Sequence, residues 1–263
     1  MNNEQNNSNP EQSIHNFDLN MICDYFSTME RQGPGSDEMT LKALSFLKPL
    51  TEESKVADIG CGTGKQTITL GKNIPSKITG IDLFQKFIDI LNHNCAEQGL
   101  AHKINGIVGN MEQLPFQEEE YDLLWCEGAI YNIGYKRGLQ EWHKYLKKGG
   151  YIAVTEASWF TIERPQEIDQ FWMDAYPEID TISNKVHQME EAGYIPISTF
   201  VLPENCWMEN FYELQKSARE LFLEKHKGNP TAEALAANEK REYELYKKYK
   251  AYYGYVFYIG QKI

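Results

Sequence analysis

Residues 56–67 read VADIGCGTGKQT. Three glycines alternate at Gly60, Gly62 and Gly64, and an acid, Asp58, stands two residues before the first. Glycines at a strand-to-helix turn let a ligand come close to the backbone. The helix that follows offers free N–H groups and a partial positive charge at its start. So far the turn would suit a phosphate. Its spacing does not: the dinucleotide fingerprint G-x-G-x-x-G requires glycine where this chain has Lys65, and no G-K-[ST] phosphate loop occurs. An acid beside the turn suits a ligand with a cationic group. A second acid, Asp82, ends the next strand-like stretch and is placed to accept hydrogen bonds from a ribose diol. A ligand with an ammonium, a carboxylate and an unphosphorylated ribose fits both acids and the helix end. S-adenosylmethionine is such a ligand.

The elements that must position these residues follow from periodicity. Strands are expected at 55–60, 77–82, 104–109, 121–128, 151–157, 194–202 and 254–262. Helices are expected at 65–73, 84–99, 139–148 and 186–193, and two more at 207–227 and 231–252, split by GNP at 228–230. A helix capped by Ser36 or Asp37 should stop near Pro49. Short apolar strands alternating with helices imply a mostly parallel sheet covered on both faces. Ligands bind such sheets beyond the carboxyl ends of the strands, where strand order reverses.

The chain has 263 residues, 41% of them hydrophobic, and a formal net charge of −12. That field repels a nucleic-acid backbone and an anionic membrane surface. The basic run KREYELYKKYK at 240–250 is interrupted by acids and tyrosines and reads as a solvated helix face. The polar start, MNNEQNNSNPEQS, lacks a basic n-region and an apolar h-region and is expected to be a disordered tail. No apolar run approaches the ~18–20 residues of a membrane span. Five scattered cysteines without a CxxC pair point to a reducing, cytoplasmic compartment, and no metal is expected. Cys61 and Cys126 read as small buried fillers rather than nucleophiles.

Across about 55–157 the sequence resembles class I S-adenosylmethionine-dependent methyltransferases, of the small-molecule type grouped with ubiquinone/menaquinone-biosynthesis enzymes. DIGCGTG matches the family's D-x-G-x-G-x-G turn, GID at 80–82 the ribose acid, and GNMEQLPF at 109–116 the adenine loop. YDLLWCEGAIYNI at 121–133 matches the fourth strand and its loop, and LKKGGYIAVTE at 146–156 the approach to the fifth strand. The resemblance implies a Rossmann-like, doubly wound α/β fold. Its sheet would have seven mostly parallel strands, the last antiparallel, with N-terminal helices and a helical insertion before the last strand. It also implies a layout: a tail at 1–13, then one domain at 14–263. That domain would comprise a helical cap at 14–50, a cofactor-binding core at 54–157 and a substrate-side half at 158–263, with the insertion at 205–252.

Carried over by position, Gly60, Gly62 and Gly64 would lie against the methionine moiety, with Cys61 among them. Asp58 would order the turn and the ammonium, Asp82 would bind the ribose, and Leu83 and Met111 would sandwich the adenine. The family's adenine loop usually carries Asp; here it is Asn110, whose carbonyl oxygen can still accept from the adenine amino group. Glu127 would stand where the ammonium meets strand four. Arg31 could reach the cofactor carboxylate, but a surface position is the simpler expectation. S-adenosylhomocysteine would be the product.

Methyl transfer from a sulfonium is an in-line displacement, so the protein mainly aligns the nucleophile and excludes water. A general base is required only for a protonated nucleophile. No catalytic residue is assigned; Glu127, Tyr131 and His187 are the candidates, with Glu156 and Trp159 after strand five. The aromatic insertion is positioned to roof an acceptor site, and GPGS at 33–36 to hinge an N-terminal flap. A small-molecule acceptor is expected, with no nucleic acid or membrane partner, and a homodimer through the insertion is left open. Two rival readings are a non-catalytic S-adenosylmethionine-binding sensor or partner subunit, and an NAD-dependent oxidoreductase.

Overall fold

A computed structural model describes residues 17–263. The tail expected at 1–13 lies outside the described residues, as does the start of the 14–50 segment. Helices α1 (Leu19–Phe26) and α2 (Asp37–Leu44) come first. Asp18 caps α1 by accepting from Asn20 and Met21, and Ser36 caps α2 by accepting from Met39. The alternating part follows: β1 (Lys55–Ile59), α3 (Lys65–Asn73), β2 (Lys77–Asp82), α4 (Gln85–Glu97), β3 (Ile104–Val108), β4 (Tyr121–Cys126), α5 (Tyr135–Trp142) and β5 (Leu146–Trp159). The remainder is α6 (Gln166–Ala175), β6 (Asp180–Thr181), α7 (Ile182–Glu191), β7 (Tyr194–Val201), α8 (Glu204–Trp207), α9 (Glu213–Lys225), α10 (Pro230–Tyr249) and β8 (Tyr253–Lys262).

The sheet runs β3-β2-β1-β4-β5-β8-β7, and the two-residue β6 pairs with β5 off this path. Strands β1 to β5 pair in parallel, while β8 is antiparallel to both β5 and β7. This is the Rossmann-like architecture expected, with β6 as an addition. The chain steps outward from β1 through β2 to β3, then returns to place β4 on the other side of β1. The order therefore reverses between β1 and β4, and their carboxyl ends frame the cleft described below.

Side chains alternate across each strand. On β4, Leu123 and Trp125 pack into one core layer, and Leu124 and Cys126 into the other. The first layer also takes the aromatic side chains of α6 and of the 205–252 insertion; the second packs under α5 and α7. The insertion is helical as expected, and a π turn over Met208–Tyr212 joins α8 to α9.

Three local expectations change. The helix read at 139–148 begins earlier, at Tyr135, and ends at Trp142. Leu146 is fully buried and pairs with Tyr121, so β5 starts before the two glycines rather than after them. Residues 166–175, irregular by sequence, form α6 because Ile168, Phe171 and Trp172 share one buried face. Residues 33–36 are tied to the insertion: Gly35 N–H donates to the Cys206 carbonyl at 3.3 Å, and Asn210 Nδ2 donates to the Gly35 carbonyl at 3.0 Å.

Candidate functional site

The glycine turn folds back onto β2. Gly60 and Cys61 N–H groups donate to the Ile81 carbonyl at 2.8 and 3.1 Å. Gly62 N–H donates to Asp82 Oδ2 at 2.9 Å, and Phe84 N–H donates to Asp82 Oδ1 at 3.1 Å. Each carboxylate oxygen thus keeps a lone pair for a further donor. Burial raises the Asp82 pKa, and the backbone N–H bonds oppose that rise.

Gly60 has φ +72°, and a Cβ there would lie 2.4 Å from Ala129 Cβ. Only glycine keeps this approach to the loop after β4 open.

A cleft of about 410 Å³ opens over this turn. Of the residues singled out by sequence, Gly60, Cys61, Gly62, Asp82, Leu83, Asn110, Met111, Glu127 and Tyr131 line it. Leu83 and Met111 approach from the ends of β2 and β3. Asn110 Oδ1 accepts from Glu112 N–H at 2.9 Å, which orients its amide within the loop.

Asp58, Gly64 and His187 do not line it. Asp58 shares its strand face with Val56 and points under α3. Thr67 Oγ1 donates to Asp58 Oδ2 at 2.5 Å there, and Oδ1 has no partner. Asp58 therefore braces the turn from beneath and is not among the residues that line the cleft. Gly64 has φ +91°, and a Cβ there would sit 2.1 Å from Leu91 Cδ1, so it seats α3 against α4 rather than facing a ligand. His187 is 69% exposed on α7 beside Glu190 and Glu191, away from the cleft.

Complete burial pushes the Asp58 carboxyl up to about 7, and the Thr67 bond only partly offsets this. The folded state then holds a proton that the unfolded chain releases at about pH 4. Stability from this group is complete at low pH and is lost as pH rises toward about 7. Asp58→Asn should flatten that decline. Melting temperatures at pH 5 and pH 8 test it, and equal wild-type and variant slopes would contradict it.

Arg31 was expected at the surface, and this is corrected: it is 5% exposed and lines the cleft. Its Nη1 donates to Glu127 Oε2 at 2.8 Å, and its Nη2 makes no hydrogen bond. Glu127 Oε1 also accepts from Thr40 Oγ1 at 2.6 Å and Trp125 Nε1 at 2.9 Å. Held by three donors, Glu127 is a wall of the cleft and a poor candidate for a base. Gln32 Oε1 accepts from Thr63 N–H at 2.9 Å and its Nε2 donates to the Met29 carbonyl at 2.8 Å, clamping the turn to the N-terminal segment. Sequence reasoning did not assign Gln32, Gly33 or Pro34 to the cleft, although it singled out GPGS at 33–36 as a hinge.

Cys61 and Cys126 are buried thiols whose pKa burial raises further, so neither is a ready nucleophile. Glu156 does not line the cleft; it is paired with Lys185 Nζ at 2.8 Å and accepts from Tyr176 OH at 2.6 Å. Trp159 is buried beneath the Arg164 guanidinium. Behind Gly128 and Tyr131 lies a second cavity of about 100 Å³, sharing with the cleft Phe26, Gln32, Gly33 and Pro34 as well. Trp207 and Phe211 of the insertion help to wall it. Among the described residues no His, Cys, Asp or Glu cluster is arranged to hold a metal ion, and no helix is long and apolar enough to cross a membrane.

A family model described as a methyltransferase domain matches residues 56–150. A demethylmenaquinone methyltransferase from Lactiplantibacillus plantarum is 26% identical over 157 residues, covering 57% of this chain and 64% of that one. A ubiquinone/menaquinone biosynthesis C-methyltransferase from Geotalea daltonii is 29% identical over 107 residues, covering 40% of this chain and 46% of that one. The chain thus spans less than two thirds of the length of either relative. In fold, it is similar to an S-adenosylmethionine-dependent methyltransferase from Geobacter sulfurreducens, solved in complex with S-adenosylhomocysteine. The TM-score is 0.79 at 18% identity, covering 94% of this chain and 99% of that one. Residues 56–150 thus match a methyltransferase domain, and the whole chain shares the fold of S-adenosylmethionine-dependent methyltransferases.

Proposed function

We propose that this chain binds S-adenosylmethionine in the cleft at the β1–β4 switch point and transfers its methyl group to a small-molecule acceptor. The observation that carries the reading is Asp82, interlocked with the glycine turn and facing the same cleft as Arg31. Asp82 would hold the ribose hydroxyls with its remaining lone pairs. Arg31 Nη2, buried and without a hydrogen-bond partner, suits the carboxylate of the methionine moiety. Leu83 and Met111 would pack on the adenine, and the Asn110 side chain would meet its edge. Gly60, Cys61 and Gly62 would lie along the amino-acid part. The cofactor supplies a methyl group already bonded to a good leaving group.

The chain's own contribution is then alignment and exclusion of water. Tyr131 and Gly128, shared by both cavities, mark where the acceptor would meet the cofactor. Residues 54–157 would form the cofactor half of a single domain, and 158–263 the acceptor half roofed by the insertion. Five cysteines, none in a disulfide, suit a reducing cytoplasmic setting.

Calorimetric titration with S-adenosylhomocysteine and with NAD tests the cofactor. Micromolar binding of the first and none of the second is expected. Asp82→Ala should weaken S-adenosylhomocysteine binding by about 1–3 kcal/mol, the cost of losing a charged hydrogen-bond acceptor. Binding of NAD instead would sink the assignment.

A further inference from the structure

The second cavity has an unusual wall for an aromatic pocket. Trp172, Trp207 and Tyr255 line it together with two carboxyl groups, Glu239 and Glu242, one turn apart on α10. Among the described residues no Lys, Arg or His lines it. The hydrogen bonds to the two acids come from neutral donors: Gln215 Nε2 to Glu239 Oε2 at 3.0 Å, and Tyr212 OH to Glu242 Oε1 at 2.9 Å. Arg219 acts on Glu239 only as the smallest of the influences on its charge. Burial first, and then the neighbouring Glu242 charge, push the Glu239 carboxyl up to about 8; burial raises Glu242 as well. Two acids one turn apart, Glu239 buried and Glu242 half-buried, without a cation among the cavity's described lining residues, are costly when ionised unless something compensates them.

The aromatic part of the wall is also incomplete. Trp207 is 1% exposed and Trp172 is 8% exposed, and neither indole N–H has a hydrogen-bond acceptor among the described residues. Ring faces attract a cation electrostatically, and more strongly where water is excluded. An ammonium would hold both carboxyls ionised and offset their charge, which neither a neutral alcohol nor a carboxylate or phosphate can do.

We propose that this cavity is the acceptor site and selects a small amine, bound as its ammonium between Glu239, Glu242 and the surrounding rings. The proposal rests on the methyltransferase reading above and names its substrate class. Glu239 and Glu242 are then the specificity-determining residues, and the insertion that carries them is what sets this chain's acceptor.

The test uses the full chain saturated with S-adenosylhomocysteine. Calorimetry follows n-propylamine, benzylamine and phenethylamine, each beside its alcohol isostere, with benzoate as the anion. At least one amine is expected to bind tenfold or more tighter than its alcohol, with no detectable benzoate binding. Glu239→Gln and Glu242→Gln should each weaken that amine tenfold or more while leaving the S-adenosylhomocysteine affinity unchanged, which also reports that the variants are folded. Intact cofactor binding with no amine preferred over its alcohol overturns this proposal alone. Unchanged amine affinity in both variants does so too. If S-adenosylhomocysteine itself fails to bind, the cofactor reading falls and the acceptor assignment falls with it.

Discussion

Lys185→Met is expected to destabilise the fold by about 3–5 kcal/mol, the range for breaking a buried ion pair from one side. Lys185 is completely buried, and its partner Glu156 is 1% exposed. Their 2.8 Å contact is the ion pair most deeply enclosed among those described. The Lys185 ammonium also lies 4.6 Å from the centre of the Tyr135 ring. Glu156 already has one oxygen without a hydrogen-bond partner, and burial pulls its pKa upward against the opposing pull of Lys185. Without the lysine, the carboxyl must take up a proton or remain as a lone buried charge.

The sign of the pH dependence follows. In Lys185→Met the folded state would hold a proton on Glu156 that the unfolded chain gives up, so the stability of the variant should fall as pH rises. Adding Glu156→Gln should recover most of the loss, because an amide needs no counter-charge. Urea unfolding of the single and double variants checks this. A single-variant loss below about 1 kcal/mol would put the pair on a par with an exposed ion pair and refute the argument.

Arg31→Met should act on both stability and binding. It removes the cationic partner of Glu127, leaving a carboxylate with only the Thr40 and Trp125 donors, and a loss of about 3 kcal/mol is expected on the same grounds. It also removes Nη2, which has no hydrogen-bond partner among the described residues and lies 4.0 Å from Asp37 Oδ1. The hydrogen bond of a charged group contributes about 1.5–3 kcal/mol, so S-adenosylhomocysteine affinity should fall roughly 10- to 100-fold. Arg31→Lys separates the two effects: one ammonium can still meet Glu127 but cannot also fork toward a ligand. Recovery of stability without recovery of affinity is the expected result. Recovery of both would mean that Arg31 supports the cleft and does not bind there.

Much of the cleft was legible as spacing. DIGCGTG, the acid of GID and the loop GNMEQ lie at consecutive strand ends, and a parallel sheet brings consecutive strand ends to one edge. Local periodicity was enough to place them there. It was not enough to say which way a side chain points. Asp58 and Gly64 stand in the same motif as Gly60 and Gly62, yet they turn away, because alternation along β1 sends Asp58 under α3 and the start of α3 sets Gly64 against Leu91.

What the sequence by itself determined is the order of strands and helices, the glycine turn and the acid that follows it, since each is written in a few neighbouring residues. Tertiary structure alone decided the partners that come from far along the chain. Arg31 meets Glu127, and Lys185 meets Glu156. Glu239 and Glu242 of a late helix close a cavity whose other walls include the segment between α1 and α2, the loop after β4 and α6. No period or motif carries these pairings. Each buries a charge, and a buried charge takes whichever partner the packing of the whole chain leaves within reach.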